Sequence, residues 1–160
     1  YLEEPEREGG PVFYHNLNPK VFLLKLTPGM QPQILEPVFR EFDCVIVESF
    51  GVGGIPDSIA QEFFRILNRY RPEEKILIMT TQVTYEGSDV NVYEVGRRVK
   101  EKFRFLEAYD MTLEAVLTKI MWILGMGKPE FDEVERLFYT KVQFDSYAPE
   151  AGGESHEWTE

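Results

Sequence analysis

The sequence predicts an α/β domain, a three-layer αβα arrangement around a small parallel sheet of about four strands. Short apolar runs lie at 21–26, 44–47 and 75–79. The run at 44–47 has no polar break, which is typical of a strand buried on both faces of a parallel sheet. Amphipathic helix patterns alternate with these runs, and such alternation implies right-handed crossovers with helices on both faces. A hydrophobic content of 43% in 160 residues is sufficient for a single packed domain.

The first half of the chain is expected to form two strands and two helices. The run Val21–Leu26 stops at the turn residues Thr27-Pro28-Gly29, as a strand would. A helix is indicated over 33–42, with Ile34, Val38 and Phe42 on its inward face. After the strand at 44–47, Asp57 or Ser58 is expected to cap a second helix that continues to about Tyr70. Its inward residues are Ile59, Phe63, Ile66, Leu67 and Tyr70.

The second half is expected to add a third buried strand at 75–79 and three helices. A helix over 92–102 would bury Val92, Val95, Val99 and Phe103, and a short connection follows near Phe105-Leu106. Asp110 or Thr112 is expected to open the next helix, and Gly125 to close it. Its apolar face comprises Leu113, Val116, Leu117, Ile120 and Leu124. The last helix is predicted at 131–139.

The ends of the chain differ from its middle in composition. Residues 1–19 mix Glu, Pro, Gly and Asn, as the remnant of a linker between domains would. Residues 20–147 carry the α/β pattern. Residues 148–160 are polar and Gly-rich, and we expect them to form a flexible tail.

Composition and charge exclude several classes of function. The chain has 28 Asp plus Glu against 17 Lys plus Arg, a net charge of −11, which disfavours nucleic acid as a partner. No apolar stretch is long enough to span a membrane. The one cysteine, Cys44, lies in an apolar run, which suggests a reducing, cytoplasmic setting rather than disulfides. We expect no metal and no cofactor, since no group of ligands has a recognisable spacing.

Functional groups are expected at the carboxyl ends of the strands, where open α/β sheets bind ligands. Three segments fall there, at 49–56, at 80–89 and before Thr112. The glycines at 51–54 lack the spacing of a nucleotide-binding loop, so a tight turn is the simpler interpretation. The polar stretch from Glu86 to Glu94 is equally compatible with a binding loop and an ordinary connection.

No complete catalytic apparatus is recognisable in these residues. His15 and His156 fall in the predicted linker and tail, so neither is expected to be held rigidly as a general base. Asp110, Thr112 and Glu114 are more simply a helix cap with first-turn acids than a catalytic pair.

Four segments in this order resemble the C-terminal domain of bacterial type I (cytosolic) L-asparaginases. Val47-Glu-Ser-Phe-Gly-Val-Gly-Gly-Ile-Pro56 is similar to the family turn SYGVGN-P. Thr81-Gln82, followed by Tyr93-Glu-Val-Gly-Arg97, is similar to the segment TQC…Y-x-x-G. Asp110–Lys119 is similar to DMT-x-EA-x-x-TK, and Leu26–Gly29 to the turn after the first strand. The resemblance spans about 21–125 and implies a Rossmann-like fold.

The resemblance implies a parent enzyme that hydrolyses L-asparagine to L-aspartate and ammonia, with its threonine nucleophile in an N-terminal domain. This chain alone is then expected to be inactive and to pack against that domain in a homo-oligomer. The resemblance implies roles in active-site support, substrate binding or effector binding for a set of residues. These are Glu48, Ser49, Phe50, Gly53, Gly54, Thr81, Gln82, Val83, Tyr93, Glu94, Arg97, Asp110 and Thr112.

Three positions depart from the family pattern. Glu48 replaces the arginine of the allosteric type I enzymes, Val83 a cysteine, and Gly54 an asparagine. An arginine binds a carboxylate through a charge-assisted fork, whereas a glutamate repels one. We therefore expect asparagine activation of that type to be lost or rebuilt in the parent.

Two alternatives remain open. The first is the asparaginase-like subunit of the archaeal glutamyl-tRNA(Gln) amidotransferase, which releases ammonia for a partner subunit. The net charge argues mildly against that alternative, since a tRNA-contacting surface is usually basic. The second is a free-standing module that binds a small amino acid without catalysis.

Overall fold

The computed structural model describes residues 12–51, 54–70, 74–83, 103–142 and 145–146. Within these ranges four parallel strands form one sheet in the order β1-β2-β3-β4. The strands are β1 (Val21–Lys25), β2 (Cys44–Ser49), β3 (Ile76–Thr81) and β4 (Leu106–Glu107). The helices described are α1 (Leu35–Glu41), α2 (Asp57–Leu67), α3 (Leu113–Gly125) and α4 (Phe131–Tyr139), with a 3-10 turn at Pro32–Ile34. The predicted three-layer α/β class is confirmed.

The two central strands are covered on both faces. All six residues of β2 are buried, as are five of the six in β3. The two strands pair along their whole length, from Cys44 opposite Ile76 to Ser49 opposite Thr81. Because neither face of such a strand contacts solvent, its residues are apolar without alternating polar positions.

Alternate residues of the strands face two separate hydrophobic layers. One layer packs α1 and α2 against the sheet and includes Val45, Val47, Leu77 and Met79. The other packs α3 and α4 against the opposite face and includes Ile46, Ile78, Leu106 and Ala108. The sheet is therefore the middle layer of three.

The prediction for the inward face of α1 was wrong at two of three positions. The helix buries Leu35, Val38 and Phe39, whereas Ile34 is 43% exposed and Phe42 only half-buried. Ile34 ends the preceding 3-10 turn and Phe42 has extended backbone angles, so neither belongs to the helix. A seven-residue helix beginning at Leu35 buries positions i, i+3 and i+4, which are the three observed.

Two details of α2 also differ from prediction. Pro56 precedes the helix, and neither Asp57 nor Ser58 caps it, because Asp57 already lies in the first turn. The Ser58 hydroxyl donates instead to the Met30 carbonyl oxygen at 3.2 Å. The helix ends at Leu67 rather than Tyr70, although the Tyr70 ring still packs against the α1–α2 layer.

The C-terminal elements follow the prediction with three exceptions. The expected connection at Phe105-Leu106 contains a short strand, β4. The buried residues of α3 are Val116, Lys119, Ile120, Ile123 and Leu124, whereas Leu113 and Leu117 are only half-buried. Gly125 is the last residue of α3, and the left-handed glycine after the helix is Gly127 (φ 132°). The helix predicted at 92–102 lies outside the described residues.

Residues 12–18 lie against α3. The Asn18 amide nitrogen donates to the Met121 carbonyl oxygen at 2.9 Å, and the ring centroids of Tyr14 and Trp122 are 5.0 Å apart. The helices in the described ranges are all too short or too polar to span a bilayer.

Candidate functional site

Three polar side chains stand side by side at the carboxyl end of the sheet. The register pairs Lys25 with Glu48 and Glu48 with Thr80. Side chains alternate along a strand, and the residues two positions before Glu48 and Thr80 face α3 and α4. The row Lys25–Glu48–Thr80 therefore lies on that same face.

Glu48 has one neighbour of opposite charge. The Lys25 Nζ atom is 2.7 Å from Glu48 Oε1, and the Glu48 side chain is only 10% exposed. The sequence could show that an acid stands at this position but not that a strand neighbour supplies a cation. The expected repulsion of a carboxylate by Glu48 is therefore partly offset by Lys25.

The turn after β2 is closed by its own backbone. The amide nitrogens of Phe50 and Gly54 donate to each other's carbonyl oxygens at 3.0 and 2.7 Å. Gly51 has φ 48°, as the tight-turn interpretation requires. The buried Ser49 hydroxyl donates to the Thr80 carbonyl oxygen at 2.7 Å and so joins this turn to β3. A Cβ at Gly54 would lie 3.2 Å from the Phe50 carbonyl oxygen, so a larger residue needs a small shift there.

The residues that follow β3 tie three strands together. The Gln82 side-chain amide donates to the Leu26 carbonyl oxygen at 2.7 Å and to the Glu48 carbonyl oxygen at 3.2 Å. The Gln82 backbone donates to the Ser49 carbonyl oxygen at 3.2 Å. The Thr81 hydroxyl donates to the Gly51 carbonyl oxygen and accepts a bond from the Val83 amide at 3.0 Å. Gln82 thus fixes the ends of β1 and β2 relative to β3.

The turn before α3 forms the opposite wall. Tyr109 has φ 49°, an uncommon conformation for a residue other than glycine. The Asp110 carboxylate accepts a hydrogen bond of 2.8 Å from the Ser146 hydroxyl. Thr112 caps α3, because its Oγ1 accepts from the Ala115 amide at 3.2 Å, which confirms one of the two predicted helix starts.

These segments surround a cleft of about 370 Å³. Six of the predicted site residues line it, namely Glu48, Thr81, Gln82, Val83, Asp110 and Thr112. Ser49, Phe50 and Gly54 are not in its lining and instead shape the β2 turn. Gly53, Tyr93, Glu94 and Arg97 lie outside the described residues.

Five lining residues were not among the predicted site residues, and the burial of Lys119 was not predicted. Thr80, Tyr109, Met111, Leu113 and Glu114 also line the cleft. The position of Thr80 next to Glu48 follows from strand register, which no local pattern in the sequence reveals. Lys119 is only 7% exposed although its helix was expected to bury apolar residues there. Its Nζ donates to the Thr140 carbonyl oxygen at 2.7 Å and to Asp145 Oδ2 at 2.6 Å.

The described part of the cleft is equipped for binding. Carboxylates, hydroxyls and one carboxamide line it, and they offer hydrogen bonds without a base positioned on a nucleophile. Cys44 is fully buried away from it, and burial raises the pKa of its thiol, which disfavours the reactive thiolate. His15 is exposed beside Phe13 on the N-terminal segment.

Comparison with known families and proteins gives consistent matches. The profile of the glutaminase/asparaginase C-terminal domain matches residues 20–138. An L-asparaginase of Thermococcus kodakarensis is 40% identical over 134 residues, which is 84% of this chain and 40% of that protein. A glutamyl-tRNA(Gln) amidotransferase subunit of Metallosphaera sedula is 32% identical over 131 residues, 79% of this chain and 28% of that protein. The chain therefore spans well under half the length of these relatives.

Solved structures show the same fold. The thermostable L-asparaginase from Thermococcus kodakarensis superimposes with a TM-score of 0.74 at 34% identity, covering 92% of this chain and 44% of that one. L-asparaginase I from Vibrio cholerae superimposes with a TM-score of 0.63 at 20% identity, covering 81% of this chain and 38% of that one. The second likeness bears on the fold alone.

Proposed function

From the premise that this chain belongs to the glutaminase/asparaginase C-terminal domain family, we propose that it is part of a cytoplasmic L-asparaginase. The parent would hydrolyse L-asparagine to L-aspartate and ammonia. The main support for this proposal is the 40% identity to the Thermococcus kodakarensis L-asparaginase over 84% of the chain. The cleft at the carboxyl edge supports it, because residues from three of the four segments that resemble the family line it.

In this proposal the chain supplies support rather than the nucleophile. Within the described residues the cleft offers hydrogen-bonding groups without a nucleophile–base pair, so the isolated chain would not turn over asparagine. Its partners would be its own N-terminal domain and further copies of the parent. The predicted site residues would then close the active site or bind an effector.

Measurement of ammonia release from L-asparagine tests whether this chain has a supporting role and the N-terminal domain carries the nucleophile. We expect release by the full-length parent, none by the 160-residue chain, and recovery when the chain is combined with the separately produced N-terminal part. Recovery would show that the chain contributes a required domain. Ammonia release by the chain alone would contradict the proposal. If the parent releases no ammonia, the result would favour a sensing module or the amidotransferase alternative.

The amidotransferase alternative is favoured by one observation, the similarity to archaeal subunits of that enzyme, of which the Metallosphaera sedula protein is 32% identical. That identity is lower than the 40% found with the asparaginase, which makes it the second candidate. The two differ in what ammonia release requires. A parent that releases ammonia only with a partner subunit and tRNA present would be the amidotransferase component.

A further inference from the structure

Two groups on the floor of the cleft have unused hydrogen-bonding capacity. Thr80 is only 4% exposed and lines the cleft, yet its hydroxyl has no partner among the described residues. Glu48 uses Oε1 to bind Lys25, and its Oε2 has no partner within the same ranges. Each atom can accept a hydrogen bond from a ligand or a water molecule in the cleft.

The two groups are close enough to act on one ligand atom. Glu48 and Thr80 are register partners on adjacent strands, which run about 4.8 Å apart. Both face α3 and α4, where the cleft opens. A small group placed between them can contact the carboxylate and the hydroxyl together.

The charge of the lining indicates what kind of ligand fits. The described lining residues include the acids Glu48, Asp110 and Glu114 and no lysine, arginine or histidine. Lys25 is engaged with Glu48, and its side chain is 56% exposed outside that lining. The described part of the lining therefore offers acceptors and negative charge, which attract a cationic hydrogen-bond donor and repel an anion.

We propose that this cleft binds the primary ammonium group of a small amino-acid derivative, with Glu48 and Thr80 as its acceptors. The ammonium group donates to Glu48 Oε2 and to the Thr80 hydroxyl oxygen. A free carboxylate on the same ligand is disfavoured by the lining acids. The choice of amino-acid derivatives rests on the proposed function, whereas the selection by charge follows from the cleft.

Three related compounds distinguish binding through the ammonium group of asparagine from binding through its carboxylate. Asparaginamide keeps the ammonium and masks the carboxylate, succinamate keeps the carboxylate and lacks the ammonium, and asparagine has both. Titration of the ¹⁵N-labelled 160-residue chain, followed by amide chemical shifts at Thr80, Thr81 and Gln82, gives the affinity of each. We expect asparaginamide to bind most tightly, asparagine more weakly, and succinamate to leave these amides unshifted.

Two isosteric variants and one control locate the interaction. Glu48→Gln is expected to weaken asparaginamide binding about tenfold or more, and Thr80→Val a few-fold, because a charged hydrogen bond contributes more than a neutral one. Glu133→Gln on the exposed face of α4 removes a charge from a residue that is not in the described lining of the cleft, and it should leave binding unchanged. If Glu48→Gln does not fold, the three-compound comparison on the unchanged chain decides alone.

The inference is overturned if succinamate binds as tightly as asparaginamide, or if a folded Glu48→Gln variant binds asparaginamide unchanged. Absence of binding by all three compounds overturns it as well. These outcomes are distinct from failure of the proposed function, which is read from ammonia release by the parent. If the parent releases ammonia but the chain does not prefer asparaginamide to succinamate, the inference alone is overturned. If the chain shows that preference but the parent releases no ammonia, the proposed function alone is overturned.

Discussion

At the scale of single residues, the backbone of the N-terminal segment packs so closely against Gly125 that it leaves no room for a side chain. A Cβ built on this glycine would clash with the Asn16 carbonyl oxygen and lie 3.0 Å from Leu17 Cα. Both are backbone atoms of the N-terminal segment, which cannot rotate away as a side chain would. The absence of a side chain at the end of α3 is therefore what lets residues 12–18 lie on the helix.

Gly125→Ala is expected to destabilise the chain despite the better helix propensity of alanine. The propensity gain is about 0.5–1 kcal/mol, whereas forcing the N-terminal segment off the helix costs about 1–3 kcal/mol. Urea unfolding measures the change in free energy. In a chain that begins at Lys20 the contacting segment is gone, so the same substitution should become neutral or stabilising. An equal effect in both chains would show that the contact with Asn16 does not govern this position.

At the scale of elements, the edge strand β4 is completed by a side chain. Its inner edge bonds to β3, where the Ala108 amide donates to the Met79 carbonyl oxygen at 2.9 Å. On the outer side the Tyr139 hydroxyl accepts from the Glu107 amide at 2.9 Å and donates to the Glu107 carbonyl oxygen at 3.3 Å. Within the described residues, Tyr139 of α4 thus occupies the outer hydrogen-bonding edge of β4 at Glu107.

Tyr139→Phe is expected to lower the free energy of unfolding by about 1–3 kcal/mol, because it leaves two backbone groups of Glu107 without this partner. Burial also raises the pKa of the Tyr139 phenol. Below about pH 10, the ordinary phenol pKa, this contribution to stability is complete. It is lost as the pH rises beyond that value, because the unfolded chain ionises while the folded one does not.

Urea unfolding between pH 8 and pH 11 checks both parts of this prediction. The difference in stability between the unchanged chain and Tyr139→Phe should shrink as the pH passes the ordinary phenol pKa. Tyr14→Phe, at an exposed position, is the matched control for the removal of a phenol hydroxyl. A difference that stays constant across the range would rule out a buried neutral phenol at Tyr139.

Sequence patterns predicted those elements whose environment is uniform along their length. The runs at 44–47 and 75–79 gave the central strands to within two residues, since both faces of each strand are buried. The two-residue strand β4 has no period to detect, and the predicted inward face of the short α1 was correct only at Val38. The carboxyl edge was the predicted location of function, but the partners of Glu48, Gln82 and Lys119 depend on contacts between distant segments. Such contacts leave no local pattern.

At the scale of the whole molecule, the sheet couples two hydrophobic layers that do not touch each other. Ile59 is fully buried in the α1–α2 layer and Ile120 in the α3–α4 layer. Every central strand contributes alternate side chains to both layers, so neither layer can lose its packing without exposing one face of β2 and β3. We therefore expect both layers to unfold together.

Ile59→Val and Ile120→Val test this coupling with the same small deletion on either side of the sheet. Each should cost about 0.5–1.5 kcal/mol from the loss of one buried methylene group. In a Trp158→Phe background the remaining tryptophan, Trp122, reports on the α3 side, while far-UV circular dichroism reports on all helices. Because the sheet is shared, Ile59→Val should shift the fluorescence and dichroism midpoints in urea by the same amount, although Trp122 lies on the opposite face. A shift in dichroism that leaves the fluorescence transition in place would mean that the two layers unfold separately.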